Sequence, residues 1–209
     1  MTTPTAPAAP PAATHAAHGI RLWHLVAGLV SLISLLVQLV LIVRGVNVLV
    51  DDDTGLPAAG VATRVLRFFS YFTVQSNVIV IATELLLAAN PRRTGRWFDV
   101  ARLAGLVGIT VTFVVYLVAL RPILDLSGLA AVTDAGFHIV VPVMAVVGWV
   151  AFGPRAGFVR RTLLTSLVWP AAYFVYSLVH GALTGWYPYP FVDVTQLGYP
   201  AAMRNLAVV

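Results

Sequence analysis

The sequence predicts an all-α protein, a multi-span transmembrane helical bundle of about five spans plus a partial sixth. Three observations predict it. Of 209 residues, 59% are hydrophobic and only 10% charged, against about 25% charged in a soluble domain. Several apolar runs approach or exceed the ~18 residues expected of a membrane span. Every basic residue is arginine, and the arginines gather in short segments between those runs, as topology signals do.

Residues 1–20, "MTTPTAPAAPPAATHAAHGI", are rich in Ala, Pro and Thr. They lack the basic start and apolar h-region of a signal peptide, and read as a disordered cytoplasmic tail. His15 and His18 have no further ligands clustered with them, so no metal site is expected there. Residues 21–209 read as a single transmembrane helical domain. Its first span covers about 22–43, between Arg21 and Arg44. The second covers about 69–89, the third 102–120, the fourth 135–152 and the fifth 162–184. Pro142 and Pro170 predict kinks in the last two. The final stretch, "GYPAAMRNLAVV", turns apolar again. At 1.5 Å per residue it is too short to cross ~30 Å of hydrocarbon, and reads as the beginning of a sixth helix, as in a truncated chain.

Loop charges predict the orientation. The N-terminal side holds Arg21, Arg92, Arg93, Arg96, Arg102, Arg155, Arg160 and Arg161; the other holds Arg44, Arg64, Arg67 and Arg121, with Asp51, Asp52, Asp53, Asp125, Asp134 and Asp193. Eight arginines against four predict a cytoplasmic N-terminus in the plasma membrane. The loops around 45–67, 121–134 and 185–198 then face outward.

Composition also excludes. With no cysteine there is no disulfide, thiol nucleophile or Cys-based metal site. The net charge of +5 comes with no nucleic-acid motif, so no nucleic-acid partner is expected. Neither a cofactor nor a metal is expected; the bilayer is an expected partner.

Polar residues stand out in such a chain. The second span opens "SYFTVQSN", and Ser70, Thr73, Asn77 and Glu84 fall on one helix face. A polar stripe on a membrane helix must face other helices or water. The fourth span enters from the same side as "DAGFHIVVPVM", with Asp134 and His138 one turn apart. The fifth carries Trp169, Tyr173, Tyr176, His180 and Thr184 along one broad face. Thr73, His138 and His180 therefore come to similar depth on three spans. Each also has an ordinary reading. A membrane Thr commonly bonds the carbonyl one turn back, while Gln75, Ser76 and Asn77 serve as interhelical glue. Tyr173, Tyr176, Trp186, Tyr187 and Tyr189 read most simply as an interfacial aromatic belt, and Glu84, nearer the other end, as a paired structural group.

Three segments carry a family resemblance: "YFTVQSN", "RPILDLSGLAAVTDAGFHIVVPV" and "GWYPYPF". Through them the chain resembles the androgen-induced and androgen-dependent family of multi-span membrane proteins, in its bacterial branch. Animal members hydrolyse fatty-acid esters of hydroxy fatty acids with a membrane-embedded Thr nucleophile and a His. By resemblance these roles fall on Thr73 and His138, and a membrane lipid or fatty-acyl ester is the expected partner besides the bilayer.

The chemistry asks for a consistent set of groups. An alcohol nucleophile needs a base within hydrogen-bond reach, and His138 can act as base and then acid near neutral pH. Asp134 is placed to orient it. A developing oxyanion needs donors, for which Asn77 or Gln75, and His180 or a Tyr hydroxyl, are candidates. Two rivals stay open. A transporter predicts polar residues through the full depth of the bilayer; a non-catalytic interaction protein predicts Thr73 and His138 turned toward different neighbours.

Overall fold

The computed structural model describes residues 11–46, 59–155, 157 and 159–208, and among them every regular element is helical. Five helices are long and apolar enough to cross a membrane: His15–Val43, Phe72–Ala89, Arg96–Ile123, Gly128–Phe152 and Arg160–Thr184. The chain is a multi-pass helical membrane protein, close to the expected spans.

The first helix starts earlier than expected. α1 runs Pro11–Val43, so residues 11–20 of the expected disordered tail are helical. Their alanines are the best helix formers, and Pro11 takes the first helical position, where its missing N–H costs nothing. Residues 1–10 lie outside the described residues, as do Asp51, Asp52 and Asp53.

The second span is not continuous. α2 covers Val61–Ser70 and α3 covers Phe72–Ala89, separated by Tyr71 in an extended conformation (φ −75°, ψ 135°). Arg64 on α2 closes the C-terminus of α1. Its guanidinium donates to Ile42 O (3.0 Å) and Val43 O (3.2 Å), the last two carbonyls of the helix.

α4, Arg96–Val115, continues through a π turn at Tyr116–Leu120 into a 3₁₀ turn at Arg121–Ile123. α5, Gly128–Ala135, continues through a π turn at Gly136–Val140 into α6, Val141–Phe152. Each π turn is followed two residues on by a proline, Pro122 or Pro142. A proline has no N–H for the carbonyl four residues back and crowds it, so the turn ahead widens. The fifth span breaks at Leu167, between α7 (Arg160–Ser166) and α8 (Val168–Thr184); Pro170 cannot bond the Ser166 carbonyl. After α8 come a 3₁₀ turn at Pro190–Val192, then α9 (Val194–Leu197) and α10 (Tyr199–Val208). α10 is the expected partial sixth helix. It packs back on the 190–192 turn and buries Ala202 and Leu206.

α1 and α3 form the central antiparallel pair, with α4 against α3 and α6 against α1 and α4. The Arg160–Thr184 segment is peripheral: 17% of its most apolar window is buried, against 39–50% for the other four. The α1–α3 seam is polar at heptad spacing, which keeps a stripe facing one partner. His24 Nδ1 lies 2.6 Å from Glu84 Oε2, and Ser31 Oγ donates to Asn77 Oδ1 at 2.9 Å. Seven residues further along α1, Gln38 is buried and lines the same cavity as Thr73. Buried polar side chains thus run from one end of the seam to the other.

The Thr73 end is closed by aromatic side chains, and here the expected interfacial belt is corrected. Tyr173, Trp186, Tyr187 and Tyr189 are buried in the core with Phe68, Tyr71, Phe72, Tyr116 and Phe137; only Tyr176 of the five is exposed. The segment after α8 folds over the bundle end. Two of the phenols find partners at the start of α3, Tyr173 with Phe72 N and Tyr189 with Thr73 N. At the opposite end Arg102 is buried, not a solvated loop charge: it donates to Gly153 O (2.5 Å) and Pro154 O (3.2 Å) beyond α6.

Candidate functional site

The break at Tyr71 decides where Thr73 sits. With Tyr71 as N-cap, Phe72 and Thr73 are the first two residues of α3, and their N–H groups have no carbonyl one turn back. Tyr hydroxyls take them instead: Phe72 N donates to Tyr173 Oη at 3.1 Å, and Thr73 N to Tyr189 Oη at 3.2 Å. The Tyr173 hydroxyl in turn donates a hydrogen bond to Ser70 O (3.0 Å). The Thr73 hydroxyl lies 3.4 Å from Tyr189 Oη. It does not take the ordinary role of a membrane threonine, bonding back along its own helix.

His138 stands in the π turn after α5. Its Nδ1 is 2.9 Å from Asp134 Oδ1 and 3.0 Å from the Asp134 carbonyl oxygen. The other carboxylate oxygen, Oδ2, accepts from the Tyr116 hydroxyl at 2.7 Å. The Tyr116 ring lies on the imidazole, with centroids 4.3 Å apart. Asp134 is buried, not solvated at a helix mouth. With Nδ1 occupied by Asp134, Nε2 is the nitrogen available to a further partner, as an orienting carboxylate requires of a base.

Thr73 and His138 line one cavity of about 40 Å³, together with Gln38, Tyr71, Asp134 and Tyr189. Such a volume has room for water. Thr73, Leu120 and Tyr189 also line a second, apolar cavity with Phe72, Val111 and Val115. Thr73, Leu120 and Tyr189 are therefore common to two cavities, one that also takes in Gln38, Asp134 and His138 and one that is apolar. Val111, Val115 and Phe191 continue into an open groove of about 500 Å³ between α4 and α10.

Burial raises the Tyr189 phenol above its ordinary value, while its hydrogen bonds from Thr73 act in the opposite direction. The hydroxyl stays protonated near neutral pH. It accepts from Thr73 N and keeps its own proton to donate.

The remaining expected site residues separate. Asn77 has both sides of its amide committed: Nδ2 donates to Thr73 O (2.9 Å) and Phe137 O (3.5 Å), and Oδ1 accepts from Ser31. It is interhelical glue, not a free oxyanion donor. Gln75 turns away and donates to Phe69 O (3.0 Å), closing the end of α2. His180 lines neither cavity. It is half-buried between the rings of Tyr176 (5.5 Å) and Trp186 (5.7 Å), with Nδ1 3.5 Å from Thr184 Oγ1. The single pocket expected of Thr73, His138 and His180 holds the first two, but their side chains turn to different neighbours, Thr73 to Tyr189 and His138 to Asp134 and Tyr116, as the non-catalytic alternative predicts.

The sequence reading passed over Tyr116, Gln38 and His24. Gln38 had a usable signal, as the one amide in an otherwise greasy first span. Searches against protein-family models, curated proteins and solved structures find no match to the chain.

Proposed function

We propose that the protein is an intramembrane lipid-ester hydrolase with Thr73 as nucleophile and His138 as base. One observation carries the reading: Thr73 and His138, from different spans, line the same cavity, with Asp134 bonded to Nδ1 of the imidazole. The motif resemblance to the androgen-induced and androgen-dependent family supports the same pair.

In this reading the Thr73 hydroxyl turns from Tyr189 toward His138 Nε2, a change of side-chain rotamer. Oγ attacks the ester carbonyl carbon as its proton passes to Nε2. The carbonyl becomes an oxyanion that accepts from the Tyr189 hydroxyl. The carbon–oxygen bond to the alcohol breaks, and the imidazolium returns the proton to the departing alkoxide. Water, activated by the same imidazole, then hydrolyses the acyl-threonine and frees the acid and Thr73. The acyl chain lies in the apolar cavity and the groove beyond it. In this reading the N-terminus is cytoplasmic and the site lies near the outer face of the plasma membrane, an orientation the arginine bias supports.

The test is labelling of the purified chain by a serine/threonine-hydrolase fluorophosphonate probe. Labelling is expected for the wild type, reduced for Thr73→Ser and lost for a folded Thr73→Ala. Undiminished labelling and ester turnover by Thr73→Ala would overturn the reading.

One observation favours a transporter as the second reading: the α1–α3 seam is polar through its depth. Its rungs are seven residues apart, about 10.5 Å along a helix, several times the reach of a hydrogen bond. They are separate contacts, not a continuous path, and the hydrolase reading stands ahead.

A further inference from the structure

The seam holds a second carboxylate–imidazole pair, at the end opposite Thr73. His24 is fully buried on α1, and Glu84 faces it from α3 with Oε2 2.6 Å from Nδ1. As at His138, the carboxylate engages Nδ1. Here, however, Nε2 is buried and has no hydrogen-bond partner. The imidazole packs edge-on to Phe152 of α6, centroids 6.1 Å apart. Gly148, one turn before Phe152, brings α6 close: a Cβ there would lie 3.6 Å from His24 Cε1.

The surrounding charges come from few elements. α3 contributes Glu84. α4 contributes buried Asp99 and Arg102, and Arg102 interacts electrostatically with Glu84, Asp99 and the exposed Arg155 beyond α6. α6 itself carries no ionisable side chain.

We propose that His24 and Glu84 form a proton-binding site, and that taking up a proton opens the contact between α1 and α6. The bond to Glu84 places the proton of a neutral His24 on Nδ1 and leaves Nε2 as an unpaired acceptor. One further proton, taken from water, has two bases open to it, His24 Nε2 and the Glu84 carboxylate; bound at Nε2, as proposed, it gives an imidazolium with Glu84 as its counter-charge. Its new N–H then points into a dry contact, and an unpaired charged donor costs more than an unpaired neutral acceptor. The relief is water at the Nε2 edge, which requires α1 to part from α6 at Phe152. The contacts that give way are the hydrogen bond from Trp23 Nε1 to Met144 O (3.1 Å) and the Trp23–Phe152 edge contact (5.8 Å). This site shares no residue with the Thr73 cavity and does not depend on its chemistry.

The experiment uses the full chain in lipid nanodiscs with ¹⁵N-labelled histidine, followed by NMR from about pH 5 to about pH 9, a range that brackets imidazole titration. His24→Gln assigns the signals. The Nε2 resonance of His24 is expected to move from the unprotonated to the protonated position as pH falls. Glu84→Gln, which keeps a hydrogen-bonding partner but removes the counter-charge, is expected to move the transition to lower pH. Opening is read separately. The chain has no cysteine, so Ala27→Cys, buried one turn from His24, reports water access by its rate with a soluble maleimide. That rate, divided by the rate of an exposed Ala17→Cys control, is expected to rise several-fold through the same transition. A His24 signal constant across the range, neutral or doubly protonated, would overturn the proposal. So would a maleimide ratio that ignores pH.

Discussion

Tyr116 lies flat on His138, ring centroids 4.3 Å apart and planes 14° from parallel, and each residue belongs to a π turn. The same two turns precede Pro122 and Pro142. Single π turns inside α-helices recur at functional sites because they re-aim side chains. Here they bring a phenol onto the imidazole and into reach of its carboxylate. Asp134 is held from both sides, by His138 at Oδ1 and by Tyr116 at Oδ2.

If Asp134 orients His138, Asp134→Asn should lower kcat and leave KM little changed. Tyr116→Phe should do the same more mildly, since it removes one of two bonds to that carboxylate. Ester turnover at several substrate concentrations measures this split. Unchanged kcat in a folded Asp134→Asn protein would remove Asp134 from the site.

Thr73→Ala and His138→Ala should each be severe, because a positioned general base contributes about 10²–10⁴-fold. The double variant should be scarcely worse than either single one, as with residues that act as a unit. Additive losses would mean that the two act independently.

Tyr189→Phe removes the hydroxyl next to Thr73. Loss of one oxyanion donor typically costs about 10²–10³ in kcat, so a loss of that order is expected, with KM less affected. A pure KM effect would assign Tyr189 to substrate packing alone.

Asn77→Leu removes the bonds to Ser31, Thr73 O and Phe137 O at the middle of the seam. Interhelical side-chain hydrogen bonds in membranes average about 0.6 kcal/mol, so a loss of about 1–2 kcal/mol is expected. Reversible unfolding in mild detergent measures it.

Reporters fused after Asn90 and near Val194 should fall on opposite sides of the membrane, the first in the cytoplasm. Both reversed would turn the Thr73 site to the cytoplasmic face and leave its chemistry as proposed.

Much of the bundle is legible because it follows from local rules. Lipid cannot satisfy backbone groups, so long apolar runs become helices. The i, i+4 pairing of Asp134 with His138 follows from helix periodicity alone. The polar stripe of "SYFTVQSN" was legible as a stripe, although Ser70 belongs to α2 and Thr73 opens α3. That break could not be read from the sequence, because Tyr71 is one more aromatic residue in a run with Phe68, Phe69 and Phe72. It depends on Tyr173 and Tyr189, more than 100 residues away in the chain, capping the new helix start.

By itself the sequence determined the class of protein, the approximate spans and the few residues able to do chemistry. Apolar run length, residue type and one-turn spacing are properties of a chain segment. Tertiary structure decided which of those residues meet. Asn77 was drawn to Ser31 and Gln75 to Phe69, while Thr73 and His138 were brought to one cavity and His180 was left among aromatic rings. The physical reason is that a buried polar group inside a bundle must find a partner on another helix. Which partner it finds is set by how the helices break, cross and close, and no single segment carries that information.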